Sequence, residues 1–195
     1  MEPIILASGS PRRQEYFRLL GLPFEVLPAM IREIPREGLD PRQAAEDFAA
    51  QKVRRAVELT KDRPAWWICG ADTIVSAEGG IFGKPAGRED AKRMLDSLSG
   101  REHEVITAVA LYNGRKGKTD CRSASCIVTF APLSEAEIEW YLDSGEWEGV
   151  AGGYRIQGLA ACFISSITGS PSAVAGLPLR DFYVMLRENG YSYGA

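Results

Sequence analysis

The spacing of apolar residues along the chain changes repeatedly between strand-like and helix-like. Ile4-Ile5-Leu6 is a short apolar run that predicts a buried strand and ends in small polar residues. Ser10-Pro11 then predicts a helix start, with serine as N-cap and proline at the first helical position. Tyr16, Phe17, Leu19 and Leu20 give this helix an apolar side, and Gly21 stops it. Phe24 to Leu27 predicts a second strand. After a polar, loop-like stretch, Asp40-Pro41-Arg42-Gln43 carries a capping box and opens a long helix to about Thr60. Ala45, Phe48, Ala49, Val53 and Ala56 form its stripe.

Trp66 to Cys69 predicts a strand that ends at Gly70-Ala71-Asp72-Thr73, with Ile74-Val75 still extended beyond it. Glu78-Gly79-Gly80 signals a hairpin turn, with Ile81-Phe82 returning. Ala91, Met94, Leu95 and Leu98 have helical spacing, closed by Gly100. Val105 to Tyr112 and Ser123 to Phe130 predict strands, with an Asn113-Gly114 turn after the first. Ser134 and Glu137 form a capping box for a helix reaching about Gly145. An apolar strand is expected at Cys162 to Ile167, and a last helix from Leu177-Pro178 to Gly190. This alternation predicts an α/β fold, a mixed sheet with flanking helices.

Length and charge narrow the picture. A chain of 195 residues suffices for one domain with a proper core, with room for two lobes. It is 45% hydrophobic and 25% charged, the balance of a soluble globular protein. No segment approaches the roughly 20 continuous apolar residues of a membrane span. No charged-then-apolar leader precedes the first strand, so a cytoplasmic location is expected. The net charge of −3 leaves no basic footprint for duplex nucleic acid. An anionic ligand must therefore be held by a local cluster of cations. Cys69, Cys121, Cys126 and Cys162 lack CxxC spacing and His103 is the single histidine, which argues against zinc and for free thiols.

The local cluster is prefigured at the N-terminus. Arg12 and Arg13 stand in the first turn of a helix, where cations oppose the macrodipole. An anion would make sense of them: the hydroxyls of Ser8 and Ser10, helix N–H groups and two guanidinium groups can converge on a phosphate. The plainer alternative is an exposed basic turn. Lys52 lies beside the apolar stripe of the long helix; it either snorkels to the surface, which the helix alone favours, or points into a polar site. Lys84 precedes Pro85, Asp72 follows the small residues Gly70-Ala71, and Glu33 lies in a polar segment.

These are parts for metal-assisted phosphoryl chemistry. Cations neutralise a polyphosphate, carboxylates hold a hard divalent cation, and one carboxylate orients or deprotonates water. A turn-capping Asp72 and an ordinary loop Lys84 are the plainer readings. No GxxxxGK[ST] loop is present, which argues against a P-loop enzyme. No GxSxG elbow is present either, which argues against a serine hydrolase. His103 reads as structural.

The ordered set Ser8-Gly-Ser-Pro-Arg-Arg13, Lys52, Gly70-Ala-Asp-Thr73, Gly83-Lys-Pro85, Leu98-Ser-Gly100 with His103 and Thr107, Gly152-Gly-Tyr-Arg-Ile-Gln-Gly158 and Gly176-Leu-Pro-Leu179 resembles the Maf family. These are nucleoside triphosphate pyrophosphatases once named for an association with septum formation, and the resemblance covers nearly the whole chain. It implies one domain over residues 1–195, with an inosine-triphosphatase-like fold and two lobes around a central cleft. It implies hydrolysis between the α- and β-phosphates, with Asp72 as proton acceptor and Glu33 and Asp72 at the metal. Ser8, Arg13, Lys52 and Lys84 match phosphate-side positions. Arg12, Thr73 and Gln157 match positions that accompany base choice, in a combination similar to the dTTP/UTP branch.

The resemblance further implies a divalent cation, Mg²⁺ with Mn²⁺ or Co²⁺ as alternatives, and a homodimer. The donor and acceptor of the Gln157 amide suit the imide edge of thymine or uracil. The 7-methyl-GTP branch typically has an aromatic residue before its arginine pair, Gly-Ser-Asp-Gln at 70–73 and Ser-Glu at 156–157. A 7-methyl-GTP pyrophosphatase and a non-catalytic nucleotide-binding regulator of cell division are the alternatives. Two departures from the family pattern stand out: Arg32-Glu33 where Asp-Glu is more usual, and Val150 where lysine is usual. Arg155 is the candidate to replace that lysine.

Overall fold

Three consecutive buried residues in a strand need cover on both faces of their sheet, and Ile4–Leu6 is such a strand. The computed structural model describes residues 1–34, 36, 38–63 and 65–192. In chain order the elements are β1 (Ile4–Leu6), α1 (Pro11–Leu19), β2 (Phe24–Val26), α2 (Pro41–Leu59), β3 (Trp67–Ala77), β4 (Gly80–Phe82) and α3 (Arg88–Leu98). They continue with β5 (Glu102–Asn113), β6 (Lys118–Phe130), α4 (Glu135–Asp143), β7 (Ile164–Thr168), α5 (Pro171–Val174) and α6 (Leu179–Asn189). The sheet order is β2-β1-β3-β5-β6-β7, with β4 paired to β3. Parallel pairs (β1 with β2 and β3) and antiparallel pairs (β3 with β4, β6 with β7) make it mixed, as the alternating pattern predicts.

The chain divides into two compact units. The first holds Met1–Asp72, Thr107–Ala124 and Gly176–Ala195. Its two faces follow from the period of a strand. Ile4 and Leu6 pack with Phe17, Leu22, Phe182, Met185 and Leu186. Ile5 and Ala7 pack with Ala29, Ala56 and Ile68. Phe17 meets Phe182 with ring centroids 5.2 Å apart. Trp67 and Tyr191 meet edge to face at 5.2 Å. The long helix α2 starts as its capping box predicts, both reciprocal bonds between Asp40 and Gln43 being present.

Several local expectations change. On α1 the buried residues are Arg13 and Phe17, while Leu19 is 72% exposed. The inner face is thus an arginine and a phenylalanine four apart rather than the apolar set alone. Ser10 occupies the N-cap position, but its hydroxyl makes no capping bond. β3 runs unbroken through Gly70–Thr73, so Asp72 lies within a strand and not after one. β6 starts at Lys118, before the apolar run that marked it. Cys162 and Phe163 belong to a 3-10 turn, and β7 starts at Ile164. The short α5 spans barely one turn, too little for a helical period to show.

The second unit holds Thr73–Ile106 and Ser125–Ala175. The Glu78-Gly79 turn joins β3 to β4 with Ala77 opposite Gly80, as expected. Ala91, Met94, Leu95 and Leu98 are the buried face of α3, as their spacing predicts. The capping box of Ser134 and Glu137 is formed at the start of α4. At the centre of this unit lies an aromatic cluster. Phe130 packs edge-on against Tyr154 at 4.9 Å and His103 at 5.2 Å. Phe163 packs on Tyr141 at 5.5 Å. His103 is 3% exposed, and its Nε2 lies 2.8 Å from the Tyr154 hydroxyl. Among the described residues no helix is long and apolar enough to cross a membrane.

Burial pulls the His103 pKa down from 6.5 to about 4. The folded histidine stays neutral while the unfolded one protonates, so stability is full above pH 6.5 and falls as pH drops towards 4. The expected loss is about 3 kcal/mol across that window. Urea unfolding at pH 7 and pH 4.5 should show a smaller loss for His103→Gln than for wild type; equal losses would contradict a histidine held neutral.

Candidate active site

The site of the first unit begins with a missing side chain. A Cβ on Gly70 would stand 2.7 Å from the Ala49 carbonyl oxygen, 3.0 Å from Val53 Cγ2 and 3.2 Å from Lys52 Cβ. Only a glycine lets α2 lie this close to β3. The close approach sets the root of Lys52 against the strand two residues before Asp72. The Lys52 ammonium then donates to Asp72 Oδ1 at 2.6 Å and lies 2.7 Å from Glu33 Oε1. The Ala71 carbonyl accepts a longer bond from it at 3.4 Å.

Lys52 is 8% exposed and Asp72 7%. The lysine points into a polar site instead of snorkelling, which corrects the expectation from the helix alone. The physical reason is that two carboxylates and a carbonyl replace the water its ammonium loses.

Arg13 is the second buried cation, 8% exposed. Its Nε donates to the Gly176 carbonyl at 2.8 Å and its Nη1 to Ser8 Oγ at 2.9 Å. The Ser10 N–H also donates to Ser8 Oγ, at 3.3 Å. The Ser8 hydroxyl therefore ties the residues just before α1 to an arginine of its first turn. An arginine so placed is held by the fold itself, with its planar fork oriented in advance.

Electrostatics separate the roles. Burial raises the Asp72 pKa above its ordinary 3.8, and outweighs the lowering by Lys52 and Arg13; Glu33 adds to the rise. Burial lowers the Arg13 pKa against the pull of Asp72 and Glu33. A guanidinium remains a cation even so. The unit thus gathers two cations and two carboxylates. Asp72 is a stronger base than an exposed aspartate, which is what activation of water requires.

The remaining sequence candidates are placed as follows. Arg12 is half-buried on α1 of the first unit. Thr73, Lys84 and Gln157 belong to the second unit: Thr73 is half-buried on β3, and Lys84 and Gln157 are exposed. Val150 is 3% exposed, and the Arg155 Nη2 donates to the Glu148 carbonyl at 3.1 Å. Sequence reasoning did not anticipate the carbonyls of Ala71 and Gly176 as partners of the two buried cations. The Gly176-Leu-Pro-Leu motif was the available signal for the second. For the first there was none.

Asp72 and Glu33, both hard-oxygen groups, are the carboxylate partners of one ammonium, so their two oxygens stand near a common point. That donor set fits a Mg²⁺-type cation, which commonly takes one or two carboxylates and completes its shell with water and phosphate oxygens. Among the described residues no group of three or more His, Cys, Asp or Glu gathers as a metal site.

A family model described as Maf-like protein matches residues 3–189. The chain belongs to this family. Similar relatives span it almost end to end. One from Symbiobacterium thermophilum is 44% identical over 191 residues, covering 98% of this chain and 96% of its own. One from Shewanella oneidensis is 44% identical over 192 residues, covering 96% and 98%. One from Chromobacterium violaceum is 42% identical over 193 residues, covering 96% and 95%. Each is named dTTP/UTP pyrophosphatase. Among solved structures, the Staphylococcus aureus Ham1 protein is similar at a TM-score of 0.46 and 14% identity, covering 67% of this chain and 72% of that one. That likeness is too slight to carry an argument.

In this Maf-like protein the Gly70 contact should be the least forgiving position of the site. Gly70→Ala is expected to cost about 1–3 kcal/mol, the usual range for overpacking. It should also displace Lys52 from Asp72. Thermal unfolding with an activity assay at a permissive temperature checks both. A variant of unchanged stability and activity would show that the helix can yield.

Proposed function

We propose that this chain is a metal-dependent pyrophosphatase acting on dTTP and UTP. The observation that carries the reading is the buried arrangement of Lys52 between Asp72 and Glu33, beside the ordered Arg13–Ser8 pair. The names of its relatives supply the nucleotide class. Asp72 accepts a proton from water as the water oxygen attacks the α-phosphorus. The bond from that phosphorus to the bridging oxygen breaks, and pyrophosphate leaves with the electron pair.

Arg13, Lys52 and the Ser8 hydroxyl bind and orient phosphate oxygens, and Lys84 is assigned as a further phosphate-side cation. Charge that builds on the phosphates in the transition state meets donors already fixed in place. Asp72 and Glu33 would hold a divalent cation, which when bound supplies further neutralisation of the phosphates. Arg12, Thr73 and Gln157 are assigned to base choice, the Gln157 amide pairing with the imide edge of thymine or uracil. A Mg²⁺ requirement, a homodimer and a cytoplasmic setting belong to the same proposal.

Pyrophosphate release from dTTP, UTP, CTP, 7-methyl-GTP and ITP, with and without Mg²⁺, tests the reading. Metal-dependent release strongest with dTTP and UTP is expected. Preference for 7-methyl-GTP would keep the chemistry and overturn the base assignment. Nucleotide binding with no release would favour a regulator. Asp72→Asn should lower kcat by about 10²–10⁴-fold, the usual worth of a general base, with nucleotide binding retained. Near-normal turnover would remove Asp72 from that role.

A further inference from the structure

Gln157 is an exposed residue on a turn, a poor place from which to read a base unless the turn itself is fixed. The turn runs from Arg155 to Gly158 and is closed by the Gly158 N–H donating to the Arg155 carbonyl at 3.0 Å. It is anchored on both sides within the second unit. Downstream, the Leu159 N–H donates to Glu146 Oε2 at 2.8 Å. Upstream, the Arg155 N–H donates to the Tyr141 hydroxyl at 3.2 Å. The Gly152 N–H donates to the Gly83 carbonyl at 3.1 Å. Gly152 has φ +70, and a Cβ there would lie 3.0 Å from Val75 Cγ2. Among these anchors, the contact between His103 Nε2 and the Tyr154 hydroxyl is the one made by two buried side chains.

A polar pair inside an aromatic cluster is costly unless its members bond to each other, and the bond then holds them at a set distance and angle. His103 Nδ1 is buried with no hydrogen-bond partner among the described residues. Nε2 and the Tyr154 hydroxyl share one hydrogen bond at 2.8 Å, in which either can be the donor. Phe130 packs edge-on against both rings and holds the pair in line. Tyr154 precedes Arg155, the first residue of the turn, so fixing its ring fixes where the turn begins.

We propose that His103 and Tyr154 are a positioning pair that holds the Arg155–Gly158 turn, and with it Gln157, in register for reading the pyrimidine. The inference rests on the dTTP/UTP reading given above. Neither residue touches substrate; both act through Gln157.

The test compares kcat and KM for dTTP, UTP and CTP across four variants. Tyr154→Phe keeps the ring and removes only the hydroxyl. It should raise KM for dTTP and UTP about tenfold, the order expected for one buried hydrogen bond. Its kcat should stay within about twofold, with CTP nearly unaffected, so that selectivity falls. Gln157→Ala should lose selectivity by itself, and adding Tyr154→Phe should take it no further, since coupled residues are not additive. His103→Gln, whose amide can either donate or accept, should retain more selectivity than Tyr154→Phe, which also guards against a variant that fails to fold.

Retained selectivity in Tyr154→Phe, with loss in Gln157→Ala, overturns the positioning role and leaves the base reading standing. Retained selectivity in Gln157→Ala overturns the base reading and the inference with it. An equal fall in kcat for all three nucleotides makes the pair structural only and overturns the inference.

Discussion

A lysine ammonium withdrawn from water must be met by charge and hydrogen bonds, and the site of this protein is organised around meeting that demand for Lys52. The cost of burying an ion is several kcal/mol, and it is offset only where partners are close and well placed. Asp72, Glu33 and the Ala71 carbonyl are those partners. Their arrangement depends on backbone packing, because α2 can approach β3 only where Gly70 leaves a gap. Arg13 meets the same demand through Ser8 and the Gly176 carbonyl. The fold thus holds two buried cations in fixed places, and burial of Asp72 makes it a better base.

Much of this architecture was legible in the sequence because the relevant forces are local. Capping boxes at Asp40 and Ser134 act over three residues, and both form as written. The stripe of α2 and the buried face of α3 follow from helical spacing. What was not legible depends on contacts far apart in the chain. Nothing within α2 distinguishes a buried Lys52 from a snorkelling one; the deciding partners are 19 and 20 residues away for Ala71 and Asp72. Arg13 turns inward because of a carbonyl 163 residues distant. The small residue Gly70 ahead of Asp72 is used by the helix, whose Ala49 carbonyl a Cβ there would meet at 2.7 Å. β3 continues past Gly70 because strand pairing overrides the local turn signal.

The second unit shows the complementary lesson. His103 reads as structural from the sequence, and it is buried in the aromatic cluster with Nε2 bonded to the Tyr154 hydroxyl. Burial of the neutral imidazole makes the unit acid-sensitive, while its hydrogen bond fixes a tyrosine next to a turn. In the first unit the same trade appears with opposite sign, since burial of Asp72 works against its charged form in order to make it basic.

The central claim is that Asp72 is a buried base whose charge depends on Lys52. The most direct measurement is an NMR titration of the Asp72 carboxylate carbon, in wild type and in Lys52→Met. The account predicts a pKa above the ordinary 3.8 in wild type and a further rise once the ammonium is removed. An ordinary value that does not respond to loss of Lys52 would contradict it.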